Sequence, residues 1–149
     1  MRIALYQPDQ AGNVGTILRL AACLGVGVDI IEPCGFAYSD RALKRAGMDY
    51  AEIAEVKRHS NWDAFERNVR GRIVLLTTRA SVRLPDARFE ADDVLLLGSE
   101  SSGAPREVHA RANERVRIPQ IAAARSLNIA VAAGIALGEA LRQTKGWPE

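Results

Sequence analysis

The sequence predicts one α/β domain spanning residues 1–149, a parallel sheet layered between helices. Two observations carry that expectation. Short runs of almost unbroken aliphatic residues recur along the chain, the composition of strands covered on both faces. The stretches between them carry apolar residues at helical spacing and are punctuated by asparagine and glycine. No internal repeat, linker or low-complexity tract interrupts the alternation.

Taken in order, the first strand is Ile3 to Tyr6. Gln10-Ala11-Gly12-Asn13-Val14-Gly15 then forms a loop, and Asn13 is expected to cap a helix whose Ile17, Leu20, Ala21 and Leu24 share one face. Gly25 ends that helix, as a residue free to turn left-handed does. Strands follow at Val28 to Ile31 and Ile53 to Val56. Asn61 is expected to cap a second helix, with Trp62, Phe65 and Val69 at helical spacing. Further strands are read at Ile73 to Thr77, Val94 to Leu97 and Val116 to Ile118, and a last helix from about Leu127 to Arg142 with Ser126 as its cap. In that helix Ala130, Ala132, Ala133, Gly134, Ala136 and Gly138 alternate with Ile129, Val131, Ile135 and Leu137. Apolar all round, it suits burial on more than one side. The pattern fits a helix inside its own domain as well as one packed against a second subunit.

Composition narrows the classes. With 48% hydrophobic and 26% charged residues, the chain is globular and long enough for a core. A net charge of +2 is too slight to signal nucleic acid by itself. The basic residues matter through clustering: Arg41, Lys44 and Arg45 in one place, Lys57 and Arg58 in another. Each of these suits solvated surface and phosphate contact equally. Cys23 and Cys34 have no companions at metal-ligand spacing, so reduced core thiols and no metal site are expected. Met1-Arg2 leads straight into a strand, and the longest apolar run, Ile129 to Leu137, is too short to cross a bilayer. A cytoplasmic protein without a membrane partner is expected.

The chemistry is concentrated in three loops. Leu97-Gly98-Ser99-Glu100-Ser101-Ser102-Gly103-Ala104-Pro105 has the glycine spacing of a phosphate loop, but lacks the lysine and hydroxyl residue that must follow the second glycine. A Gly-x-Ser-x-Gly elbow is absent too, and only two histidines are available as bases. Kinase, GTPase and hydrolase readings therefore weaken. What remains is a backbone-rich loop with one carboxylate, Glu100, or an ordinary strand-to-helix turn. The second loop runs from Arg117-Ile118-Pro119 to Arg125-Ser126-Leu127-Asn128, where Ile118 offers an apolar wall and Ser126 and Asn128 open a helix. The first loop, with Gly12 and Gly15, leads to Arg19, a permanent charge in an apolar run. A buried guanidinium needs anionic or carbonyl partners, in a structural ion pair or on a bound phosphate.

Asn13-x-Gly15-x-x-x-Arg19, Leu97-Gly98-Ser99-Glu100-x-x-Gly103-x-Pro105, and Ile118-Pro119 with Ser126-Leu127-Asn128 resemble, in order and spacing, the three motifs of SpoU-type RNA 2′-O-ribose methyltransferases of the SPOUT class. The similarity runs over essentially the whole chain. Glu32-Pro33-x-Gly35-Phe36-Ala37 with Arg45-Ala46-Gly47-Met48-Asp49-Tyr50 resembles the minimal subfamily that modifies the tRNA wobble nucleotide.

That resemblance implies a three-layer parallel sheet whose C-terminal part is tied in a deep trefoil knot, a homodimer, and S-adenosylmethionine as cofactor. It places cofactor contacts at Leu76, Thr77, Gly98, Gly103, Ile118 and Ser126. Arg19 becomes the catalytic arginine, supported by Asn13, Glu100 and Asn128, and Arg41, Lys44, Arg45, Lys57 and Arg58 become contacts to tRNA phosphates. Since a guanidinium stays protonated, Arg19 is expected to hold phosphate and steady a developing alkoxide, with phosphate or Glu100 taking the proton. Methyl transfer needs no metal. Three other functions fit the same fold: 2′-O-methylation of another tRNA or rRNA nucleotide, a non-catalytic RNA-binding assembly factor, and a flavodoxin-like binder of a different small cofactor.

Overall fold

A computed structural model describes residues 1–45 and 53–149 of the chain. Its strands are β1 (Arg2–Tyr6), β2 (Gly27–Ile31), β3 (Val56–His59), β4 (Ile73–Leu76), β5 (Val82–Arg83), β6 (Val94–Leu97) and β7 (Glu114–Arg117). They form one sheet of seven strands in the order β3-β2-β1-β6-β4-β7-β5, and every pairing is parallel. The helices are α1 (Ala11–Leu24), α2 (Asp40–Arg45), α3 (Trp62–Asn68), α4 (Arg106–Arg111) and α5 (Ile129–Thr144).

Strand alternation divides the core into two layers. Ile3, Leu5, Val28, Ile30, Val74, Leu95, Leu97 and Val116 face one way and meet Val14, Ile17, Leu18 and Ala21 of α1 with Ala133, Ala136, Leu137 and Ala140 of α5. Ala4, Ile31, Ile73, Leu75, Val94 and Leu96 face the other way, against Trp62 and Phe65 of α3 and Val108 of α4. The expected three-layer α/β architecture is therefore present. Central strands buried on both faces explain the unbroken aliphatic runs.

Several element boundaries differ from expectation, each for a physical reason. The strand expected at Ile53 to Val56 is β3, Val56–His59, and Ile53 is 69% exposed. As an edge strand β3 covers only part of its surface, so Lys57 and Arg58 can sit in it. β7 begins earlier than expected, at Glu114, and of its four residues Val116 alone is apolar and buried. The two-residue β5 and six-residue α4 are too short to leave a periodic signal. Gly25 does end α1 with φ of 67°, its N–H bonded to the Ala21 carbonyl, and Asn61 does cap α3, accepting from the Ala64 N–H at 2.8 Å.

The other two expected caps are corrected. Gln10, not Asn13, precedes α1, and Asn13 lies inside the first turn with its side chain turned to tertiary partners. α5 starts after Asn128, whose Oδ1 accepts from Ala130 N at 2.8 Å and Val131 N at 3.3 Å, so Ser126 is not its cap. Cys23 is exposed and Cys34 half-buried, so neither is a core thiol, although both are free. Burial pushes the Cys34 thiol up to about 11. No helix among the described residues is long and apolar enough to cross a membrane.

Candidate functional site

Four neighbouring strands, β1, β6, β4 and β7, point their carboxyl ends to one side of the sheet. The segments that follow them bring Asp9 to Asn13, Gly98 to Ala104, Thr77 to Arg79 and Ile118 to Asn128 together. Ligands of open parallel sheets bind at such a place. A cavity of about 500 Å³ lies there.

One wall is a polar row drawn from three distant parts of the chain. Asn13 Nδ2 donates to Glu100 Oε1 at 3.3 Å and to Gln10 Oε1 at 3.3 Å. Asn13 Oδ1 accepts from Asn128 Nδ2 at 3.0 Å. The other Glu100 oxygen, Oε2, accepts from the Asp9 backbone N–H at 2.6 Å. Each asparagine amide is thereby fixed in orientation. The Glu100 carboxylate keeps lone pairs beyond the two these donors occupy.

The loop carrying Glu100 is held from below. Asp9 Oδ2 accepts from the Ser99 hydroxyl at 2.7 Å, from the Ser101 backbone N–H at 2.9 Å and from the Ser101 hydroxyl. The Ser101 hydroxyl first, then Ser99 and the Ser101 N–H, hold the Asp9 carboxyl below its ordinary range. Ser99 and Gly103 close the loop through a pair of backbone bonds, 3.2 and 2.8 Å. A Cβ on Gly98 would stand 2.5 Å from the backbone of Gly103 and Ala104, and Gly103 has φ of +67°. Both glycines are therefore required by the turn itself.

The lining also includes the apolar residues Leu76, Val116, Ile118 and Leu127. The arrangement offers backbone polar groups and aliphatic surface to a flat, partly polar molecule, with a fixed carboxylate beside it. Every residue expected to contact a cofactor, namely Leu76, Thr77, Gly98, Gly103, Ile118 and Ser126, lines this cavity. So do Asn13, Glu100 and Asn128.

Arg19 does not. It lies on the exposed face of α1, outside the cavity lining, and the expectation of a buried guanidinium is corrected. Its neighbours Ile17 and Leu18 take the buried positions, so the apolar run that made it look buried belongs to the other side of the helix. Of the expected RNA contacts whose side chains are described, Arg41, Arg45, Lys57 and Arg58, none lines the cavity. Arg41 and Arg45 are exposed on α2, while the side chain of Lys44 and the 46–50 part of the wobble-type segment lie outside the described residues. Lys57 pairs with Glu55 at 3.4 Å, and Arg58 pairs with Glu32 and stacks over Tyr38 at 4.2 Å.

Sequence reasoning missed Asp9, Arg79 and His109. Asp9 left one signal, a carboxylate just past the end of a predicted strand, where open sheets place their ligands. Arg79 and His109 left none. Away from the cavity, Glu90, Asp92 and Asp93 cluster just before β6, with Asp93 held by Arg72 at 2.9 Å.

Comparisons with known proteins find one family. A family model described as the SpoU rRNA Methylase family matches residues 1–138. A tRNA (cytidine(34)-2′-O)-methyltransferase of Beijerinckia indica is 54% identical over 144 residues, 95% of this chain and 90% of that protein. The protein of the same description from Escherichia coli K12 is 37% identical over 99% of this chain and 96% of its own. Among solved structures, one described as giving insights into 2-OH methylation of C/U34 on tRNA is 41% identical, with a TM-score of 0.91, covering 97% of this chain and 96% of that one. An AdoMet-bound rRNA methyltransferase from Sinorhizobium meliloti is 32% identical with a TM-score of 0.84, covering 95% of this chain and 55% of its own.

Proposed function

The chain belongs to the SpoU rRNA methylase family, and from that premise we propose that it methylates the ribose 2′-hydroxyl of the wobble cytidine or uridine of tRNA, with S-adenosylmethionine as donor. The observation that carries the reading is the row Glu100–Asn13–Asn128 along a cavity walled by Ile118, Leu127 and the Gly98–Gly103 turn. The relatives described as acting on cytidine 34 span nearly the whole of this chain and of their own, which favours the wobble nucleotide over another RNA position.

The residues present fit the donor. Gly98 and Gly103 keep the turn flat where any Cβ would collide or strain, leaving backbone to line the cavity. Leu76, Ile118 and Leu127 provide aliphatic walls for a nucleoside, and Thr77 and Ser126 provide polar edges. When bound, the donor supplies an electrophilic methyl group on a sulfonium centre.

The chain's own part is to bind, orient and exclude water. Positioning of reacting groups contributes up to about 7–11 kcal/mol to such transfers. Glu100, its two oxygens accepting from the Asp9 N–H and from Asn13, would take the proton of the ribose hydroxyl. Arg19, six residues along α1 from Asn13, holds a neighbouring phosphate and steadies the developing oxyanion. Arg41, Lys44 and Arg45 meet the RNA backbone farther out.

Three further features belong to the same reading. Val131 and Ile135 are 51% and 42% exposed on one side of α5, an apolar face suited to a second copy of the chain. Membership of this family supports a chain threaded as a trefoil knot, with the cavity loops as its turns. A cytoplasmic site of action follows from a tRNA substrate. The test is saturable binding of S-adenosylhomocysteine together with incorporation of labelled methyl into tRNA transcripts. Binding without incorporation into any tRNA would turn the reading toward a non-catalytic RNA-binding factor.

A further inference from the structure

Among the described residues, the cavity lining includes one carboxylate, Glu100, one guanidinium, Arg79, and one imidazole, His109. Glu100 belongs to the polar row already described. Arg79 has no part in it, yet the turn that carries it is tied down at several points. Thr77 N–H donates to the Val116 carbonyl at 2.9 Å, the Thr77 carbonyl accepts from Ala80 N–H at 3.3 Å, and Thr77 Oγ1 accepts from Arg79 N–H at 3.3 Å. Ala80, the next residue, is buried at 7% exposure. A cation is thus presented from a fixed turn, and no carboxylate of the described residues lies within ion-pair distance of it. His109 is kept below its ordinary pKa by burial first, then by Arg79 and Arg115, so at neutral pH it adds a hydrogen-bonding group and little charge.

A carboxylate entering a partly desolvated cavity needs a charge-assisted donor, and guanidinium matches it with two parallel N–H groups. S-adenosylmethionine brings such a carboxylate on its amino-acid arm, along with two positive groups. We propose that Arg79 is the carboxylate-binding residue of the cofactor cavity, receiving the amino-acid arm while Glu100 balances the donor's positive charge. This rests on the donor reading above and extends it to a residue outside the three sequence motifs.

Titration calorimetry of the full chain with two ligands tests it. S-adenosylhomocysteine carries the amino-acid arm; 5′-methylthioadenosine keeps the nucleoside and thioether and lacks the arm. Arg79→Gln is expected to weaken S-adenosylhomocysteine about tenfold or more, and 5′-methylthioadenosine by less than about twofold. Arg79→Lys, with its charge kept and its fork removed, falls between. Equal losses for both ligands, or no loss for S-adenosylhomocysteine, would overturn the assignment. A third arm measures tRNA binding against salt: a reduced salt slope in Arg79→Gln with S-adenosylhomocysteine binding intact means the arginine meets RNA phosphate, which also overturns it. An unmutated chain that binds neither nucleoside defeats the donor reading itself, and is distinguished by appearing without any substitution.

Discussion

Asn128 donates its side-chain amide to Asn13 Oδ1 at 3.0 Å, joining residues 115 positions apart, while its own Oδ1 caps α5. One side chain therefore does two separable things. Asn128→Ala removes both and is expected to cost about 1 kcal/mol of cap energy, lowering Tm by about 3–4 °C. Asn128→Asp keeps the acceptor for the cap and loses the donor to Asn13. It should regain the melting temperature but not methyl transfer. Recovery of both in a thermal melt and a transfer assay would show that the bond to Asn13 is dispensable.

Gly98→Ala places a Cβ 2.5 Å from the backbone of Gly103 and Ala104, atoms that cannot rotate away. The turn must open, and it forms one edge of the cavity. Calorimetry should find S-adenosylhomocysteine affinity reduced by at least about tenfold, the scale of one or two broken hydrogen bonds, with circular dichroism of the sheet and helices retained. Unchanged affinity would mean the turn does not touch the cofactor.

Arg19→Ala separates binding from transfer. Because Arg19 lies outside the cavity lining, S-adenosylhomocysteine affinity should stay within about twofold of the unmutated chain. Transfer should fall by about 10²-fold or more if the guanidinium steadies charge in the transition state. Normal turnover by folded Arg19→Ala protein removes the residue from the mechanism.

The two basic clusters make different predictions. Lys57 and Arg58 have carboxylate partners within the chain, Glu55 and Glu32, so neutralising them should change tRNA affinity little. Replacing Arg41 and Arg45 with glutamine should weaken tRNA binding and lower the slope of log K against log salt by about one for each phosphate no longer neutralised. An unchanged slope would direct attention to another face.

Acid sensitivity should show in Glu139. Arg142 first, then Gln143, hold its carboxyl at about 2, against 4.5 for the ordinary group. A depressed folded pKa means the contribution is complete above the unfolded value and is lost as pH falls through the folded one. The gap in urea midpoint between the unmutated chain and Glu139→Gln should therefore be steady at neutral pH and close between about 4.5 and about 2. A gap that stays constant over that window would place Glu139 outside the acid response.

Much of this was legible in the residues, and the exceptions have a common cause. β1, β2 and β6 stand out because central parallel strands need aliphatic residues on both faces. The cavity loops stand out because glycines and serines past a strand end have few other uses. Arg19 misled because a helix with one apolar stripe, read as a string, looks apolar throughout; Thr16 and Arg19 are exposed while Val14, Ile17 and Leu18 are buried. Asn13 and Ser126 misled because asparagine and serine before a helix usually cap it, whereas Asn13 spends its amide on Glu100 and Asn128. The one signal Asp9 left was too faint for a related reason: Ser99 and Ser101, which give it meaning, lie 90 and 92 positions away.

Removing the 2′-hydroxyl of nucleotide 34 shows whether that oxygen receives the methyl group. Unmodified tRNA and the same tRNA carrying 2′-deoxyribose at nucleotide 34 are incubated with the chain and labelled S-adenosylmethionine, and the methylated position is mapped. Label should enter the ribose of nucleotide 34 in the first and be absent from the second. Equal incorporation into both, or a methyl group mapped to a base or to another nucleotide, would contradict 2′-O-methylation at nucleotide 34.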